Sequence, residues 1–305
     1  MMKKYWKRWG AVCMAALTLI TATPMIARAD GISGDDNYTP YLALGSDLKD
    51  SERATVLDLM GITEEQVESF DVIEVTNEEE KQYLGEYLDA SVIGSRALSS
   101  VLVVKQEDGY GITVDTHNIN YCTQGMYCNA LITAGIENAQ VIVAGPFEIT
   151  GTAALVGAME AYSVMTGEEI TQETMDTAVN ELVLTGNLAQ EVGESQKVEE
   201  LMALVKQQVV EGKLDSPEEM KAAIKDAAEQ LNLELSDDQI QNVTNLMGKM
   251  AKIDIDADAL KTQAQDLYNK LNDLGVDTDG IMSGISRFFE SFFAALEEFF
   301  ASLFK

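Results

Sequence analysis

The chain holds one histidine, His117, in the polar run Asp115-Thr116-His117-Asn118-Ile119-Asn120. On a strand, Asp115 and His117 share a face, because side chains alternate with a period of two. A carboxylate beside an imidazole is two members of a Ser-His-Asp relay. No Gly-x-Ser-x-Gly elbow supplies the nucleophile, and one histidine with two cysteines fits no common zinc spacing. No metal or cofactor is expected. A second polar run, Glu148-Ile149-Thr150-Gly151-Thr152, also precedes an apolar helical stretch. Ligands of sheet-and-helix folds gather off strand ends, near helix N-termini whose free amides attract anions. If the two runs are neighbours, Thr116, His117, Asn118, Thr150 and Thr152 are the candidate binding residues. The alternative is that Thr and Asn cap their helices, their commonest task.

Other constellations are weaker. Asp254-Ile255-Asp256-Ala257-Asp258 resembles the start of a calcium loop, but Ala259 stands where glycine is needed and Gln265 where glutamate is needed. It reads as a turn, as does Asp277-Thr278-Asp279-Gly280. No glycine-rich phosphate loop of the Walker type occurs. Cys122 and Cys128 lie six positions apart. Within one helix that separates their Cα atoms by roughly 9 Å, too far for a disulfide. A bridge is open to them only if Cys122 precedes the helix.

The C-terminus carries the most conspicuous surface. Ile285, Phe288, Phe289, Phe292, Phe293, Leu296, Phe299, Phe300, Leu303 and Phe304 recur at helical spacing. Seven of the nine phenylalanines fall in these last twenty residues, so one face concentrates a large apolar area. Such a helix lies on a membrane surface or binds a partner, or docks on its own helical half. Its acidic polar face sets it apart from the usual basic interfacial helix, and Glu290, Glu297 and Glu298 oppose a span.

These runs are positioned by two kinds of segment. Tyr41–Leu44, Val72–Val75, Ser99–Lys105, Gly111–Thr116 and Ala139–Ala144 read as strands, alternating with helices near 51–60, 77–90, 123–134 and 150–165. Asp108-Gly109 between the third and fourth strands is a hairpin signal. Gly145-Pro146 breaks the fifth. Thr63 with Gln66, Ser216-Pro217 with Glu219, and Ser236 with Gln239 are helix starts, and Asn77 reads as another cap. After Gly167 no segment reads as a strand. The expected fold is α+β or α/β: a mixed sheet with packed helices over 38–168, a helical domain over 169–280 and the terminal amphipathic helix over 281–305. Charge shifts with it, from 5 − 27 = −22 over residues 30–180 to 11 − 24 = −13 over 181–305.

Lys3, Lys4, Lys7 and Arg8 precede an apolar run from Ala11 to Ala22, and Ala27-Arg28-Ala29 is a small-x-small site. That order is a secretory signal peptide, cleaved after Ala29, with residues 30–37 as a flexible lead. Removing its five bases leaves (21 − 5) − 51 = −35, which repels nucleic acid and anionic headgroups.

Several segments together carry a likeness: Gly111-Ile112-Thr113-Val114-Asp115-Thr116, Met126 to Ile136, Val141 to Pro146 and Gly151 to Leu155. With them the chain resembles the YpuA-like family of exported proteins, domain of unknown function 1002. The resemblance implies a Gram-positive cell envelope and carries no catalytic residue across. The reading that follows is a non-enzymatic envelope protein that binds or scaffolds through its terminal helix. The alternatives are an exported enzyme with a pocket at 115–120 and 148–152, and a self-assembling structural protein.

Overall fold

Tyr41–Gly45 (β1) is buried at every position, as a strand covered on both faces must be. It is the second strand of a five-stranded sheet in a computed structural model that describes residues 34–255, apart from Asp36, Glu168, Glu169, Gly212, Lys213 and Asp215. The expected signal segment, the terminal aromatic helix and the turn at 277–280 lie outside the described residues. So does the acidic loop beyond Ile255.

After β1 come helices Asp50–Leu59 (α1) and Glu64–Val67 (α2), then Asp71–Val75 (β2), helices Asn77–Leu84 (α3) and Ala90–Ile93 (α4), Ser100–Lys105 (β3), Ile112–Ile119 (β4), Gln124–Thr133 (α5), Ala139–Ile149 (β5) and Thr152–Thr166 (α6). The sheet order is β2-β1-β3-β5-β4. The pairs β1/β2 and β4/β5 are parallel, whereas β3 runs against both its neighbours. The sheet is therefore mixed, as expected, and the fold is α+β.

The expected β3/β4 hairpin does not form. The turn is present, with Gly109 at φ 86° and Tyr110 N–H donating to Glu107 C=O, but β5 lies between the two strands. Val141-Ile142-Val143-Ala144 is an unbroken apolar run buried on both faces, which calls for a strand neighbour on each side. Asn138 secures the arrangement: its C=O accepts from Gln106 N–H and its Oδ1 from Gly111 N–H at 3.0 Å. Nor does Gly145-Pro146 end β5. The β3 ladder stops at the Ser100–Ala144 pair, so beyond it the missing proline N–H has no β3 partner to lose.

The cap of α3 is Thr76, not Asn77. The Thr76 hydroxyl accepts from Glu79 N–H, and the Glu79 carboxylate accepts from Thr76 N–H. That helix ends at Gly85 rather than near Ala90. The expected capping boxes at Thr63/Gln66, Ser216/Glu219 and Ser236/Gln239 are formed.

The rest is helical: Gln172–Val192 (α7), Ser195–Val210 (α8), Pro217–Gln230 (α9) and Asp237–Met250 (α10). One core lies between the sheet and α3, α5, α6 and α7, and a smaller one under α1 and α2 on the opposite face. A third lies among α7 to α10. The long helix α7 belongs to two of them, through Met175 to Val183 and through Leu188 and Ala189.

Candidate functional site

The runs 115–120 and 148–152 lie side by side. His117 pairs with Ala144, and after a bulge Ile119 pairs with Ile149. Asn118 absorbs the bulge at φ 57° and donates from Nδ2 to Gly145 C=O at 3.1 Å. Asparagine tolerates this left-handed conformation better than most side chains. Asn120 N–H then donates to Ile149 C=O, and Cys122 N–H to Thr150 C=O at 3.1 Å.

The side chains of these runs divide. Thr116 and His117, consecutive on β4, point to opposite faces. Thr150 and Thr152 hydroxyls are 3.4 Å apart. Thr152 turns inward, 2% exposed, and donates to Glu80 Oε1 at 2.8 Å. Glu80 is itself buried and takes a second hydrogen bond from Asn77 Nδ2 at 3.2 Å. Burial pushes its carboxyl above the ordinary value, against these two hydrogen bonds. Tyr127 Oη donates to Gly151 C=O at 2.5 Å, and a Cβ on Gly151 would lie 2.5 Å from that oxygen. Glycine is required here by the close approach as much as by its φ of 95°. Cys122 is a buried thiol, pushed up to about 12 by burial, and Cys128 is a half-buried thiol. Cys122 does precede α5, yet no disulfide joins the two.

A second polar cluster ties the two halves together. Lys206, 0% exposed on α8, donates from Nζ to Glu181 Oε1 at 2.9 Å, Asn129 C=O at 2.9 Å and Thr133 Oγ1 at 3.2 Å. All three ammonium protons are therefore used. Thr133 passes its own proton to Glu181 Oε2 at 2.5 Å. Burial raises the Glu181 carboxyl, while the Lys206 charge and these hydrogen bonds oppose that rise. Two turns earlier on α8, Glu199 lies over the first turn of α5. It accepts from Thr123 Oγ1 at 2.5 Å, and its carboxylate occupies the space a Cβ on Gly125 would need. An anion there suits the positive end of the helix. Glu200 beside it is 3% exposed, and its Oε2 has no hydrogen-bond partner. Burial alone lifts this carboxyl to about 7.

None of Glu80, Glu181, Glu199, Glu200 or Lys206 figured among the sequence candidates. A signal existed for two of them: Glu181 interrupts Ala178-Val179 and Leu182-Val183, and Lys206 follows Leu204-Val205. A charge on the apolar stripe of a helix must find a partner. Among the described residues, no group of three or more His, Cys, Asp or Glu could hold a metal ion. A cavity of about 470 Å³ opens between α5, α6 and α7, lined by Tyr162, Ile170, Thr171, Thr174 and Lys252 among others. None of the five candidate binding residues lines it.

The family described as "Protein of unknown function (DUF1002)" matches residues 44–267. "Uncharacterized protein YpuA" of Bacillus subtilis (strain 168) is 35% identical over 305 residues, which is 100% of each chain. No solved structure matches.

Proposed function

We propose, from the premise that the chain belongs to the DUF1002 family, that it is an exported protein of the Gram-positive cell envelope that binds or scaffolds and carries out no chemistry of its own. The observation that carries export is the order Lys3-Lys4, apolar run, Ala27-Arg28-Ala29. What supports binding over catalysis is the use made of the interior polar groups. Glu181, Lys206 and Thr133 saturate one another, Glu80 holds Thr152 and Asn77, and Glu199 holds Thr123. Each is a brace between elements. The aromatic stripe from Ile285 to Phe304 is the surface assigned to membrane or partner contact.

The test has two parts. Cell fractionation with N-terminal sequencing is expected to find the protein outside the cytoplasm, beginning at Asp30. A chain retained in the cytoplasm with Met1 in place removes the export reading. Flotation of residues 30–305 with lipid vesicles, beside a truncation ending at Gly280, is expected to float the longer form alone. If neither floats and the truncated form unfolds at lower temperature, the aromatic stripe belongs to the protein's own core.

The adjacency of the two polar runs favours one further reading, an exported enzyme with its pocket there. It requires Asn118 and Thr150 to contact a ligand. A substrate whose turnover is lost in Asn118→Gly, with the fold intact, would establish it.

A further inference from the structure

The two edges of the sheet differ in what covers them. At the β4 edge, helix α5 packs alongside, and Cys128 Sγ lies 3.9 Å from Ile112 C=O. At the β2 edge, nothing pairs with the outer side among the described residues. Asp71 N–H donates to Pro40 C=O, and Val75 C=O accepts from Ser46 N–H. In a parallel ladder this commits Asp71, Ile73 and Val75 to β1 and turns the N–H and C=O of Val72 and Glu74 outward. Val72 is 42% exposed among the described residues, so this edge is open to solvent there.

The surroundings of this edge are acidic on one face. Asp71 and Glu160 both bear on Tyr41, whose hydroxyl is raised by burial and then by these two charges. Glu160 and Glu79 bear in the same way on Tyr83. Glu160 is raised by burial and by the charge of Glu79, so two carboxylates face each other across α6 and α3. On the opposite face Glu74 lies near Arg53, which is already paired with Glu64 at 2.9 Å. The two faces thus offer an incoming strand different chemistry: carboxylates on the α6 side, and the apolar Val72 beside a compensated Glu74 on the other.

We propose that the open edge of β2 takes an extended segment of a basic partner protein as a sixth strand, with basic side chains toward Asp71, Glu79 and Glu160 and apolar side chains toward Val72. Backbone hydrogen bonds to Val72 and Glu74 provide the attachment, as in other strand-addition complexes. The carboxylates select the charge. They also disfavour a second copy of this chain, because pairing two β2 edges would set Asp71 and Glu74 against the same acids. Acidic residues on a short edge also discourage aggregation, and the two roles are compatible. The inference deepens the binding reading by naming a surface and a partner chemistry, and it is independent of export and of residues 281–305.

The test uses the full chain and a short amidated peptide of alternating lysine and valine, followed by fluorescence anisotropy and by hydrogen exchange. Saturable binding that slows exchange at the Val72 and Glu74 amides is expected. Val72→Pro removes an outward N–H that β1 does not use, so the fold is kept while affinity falls roughly tenfold, the worth of about one backbone hydrogen bond. Glu79→Gln with Glu160→Gln keeps the α3 capping box, which glutamine also closes, and weakens binding severalfold. No saturable binding overturns the proposal. So does binding that Val72→Pro leaves unchanged, which is attraction to an acidic surface alone. Dimerisation abolished by the same proline assigns the edge to a second copy and overturns it too.

Discussion

Glu181 and Lys206 show how much a single residue can be asked to hold. Both are fully buried, and each has its charge answered by the other at 2.9 Å. Removing one member leaves the other uncompensated in a low-dielectric interior, which costs about 3–5 kcal/mol. Lys206→Ala is expected to lower the free energy of unfolding, read from urea titration, by that amount. Lys206→Met with Glu181→Leu is expected to recover most of it, because apolar side chains then replace both charges. Glu200 differs, since its carboxyl has burial and no partner. Its folded value of about 7 stands above the unfolded one, so its contribution is fully present below about pH 4.3. It is lost as pH rises through about 7, an effect of about 3 kcal/mol. Wild type and Glu200→Gln are expected to differ in stability by that amount above pH 8 and to converge at low pH. A difference independent of pH would show that the Glu200 carboxyl titrates alike in the folded and unfolded chain. The sequence hints at Glu181 and Lys206 only through their apolar neighbours, because a buried charge looks like a surface one until its helix is placed.

At the scale of elements the helices were legible and the sheet order was not. Thr63, Ser216 and Ser236 announced their helices through local hydrogen bonds to residues three positions on, and such bonds depend on nothing distant. Strand order depends on which edges meet, and that is a long-range property. The Asp108-Gly109 turn formed as its chemistry requires, yet it did not join neighbours. The apolar run in β5 claimed the central place between β3 and β4. The candidate residues Thr116, His117, Asn118, Thr150 and Thr152 do lie on adjacent segments. Alternation along β4 and the inward turn of Thr152 toward Glu80 direct them to different places. Helix α6 crosses the sheet closely at Gly157, where a Cβ would stand 2.6 Å from Ala43 Cβ and 3.1 Å from Val75 Cγ2. Gly157→Ala is therefore expected to destabilise by about 1–3 kcal/mol through overpacking. Ala43→Gly in the same chain should relieve part of it, as calorimetry of the double variant would show. Independent, additive losses would mean that α6 shifts to accommodate the methyl.

For the whole molecule, the change in character after Gly167 suggested two domains, with the division near residue 168. The packing joins what that division would separate. Helix α7 buries its first half against the sheet core and its last turns against the helical core. Ile132 of α5 packs into the helical core from the other side. Lys206 on α8 reaches Asn129 and Thr133 on α5, and Lys249 on α10 reaches Tyr87 and Asp176, with Tyr87 Oη donating to Asp176 at 2.5 Å. Polar groups that are satisfied only when both halves are in place couple the stability of each half to the other. The expected outcome is one cooperative unfolding transition for residues 34–255, in which amides of β5 and of α9 exchange with the same free energy. Lys206→Ala should lower both equally, although the Lys206 hydrogen bonds go to α5 and α7 and to neither of these elements. If the α9 amides alone lose protection, the helical half unfolds by itself and a boundary near residue 168 divides two autonomous units. A common shift means that α5 and α7 make the sheet and the helical half one thermodynamic body, in which anything that binds the β2 edge stabilises α9 as well.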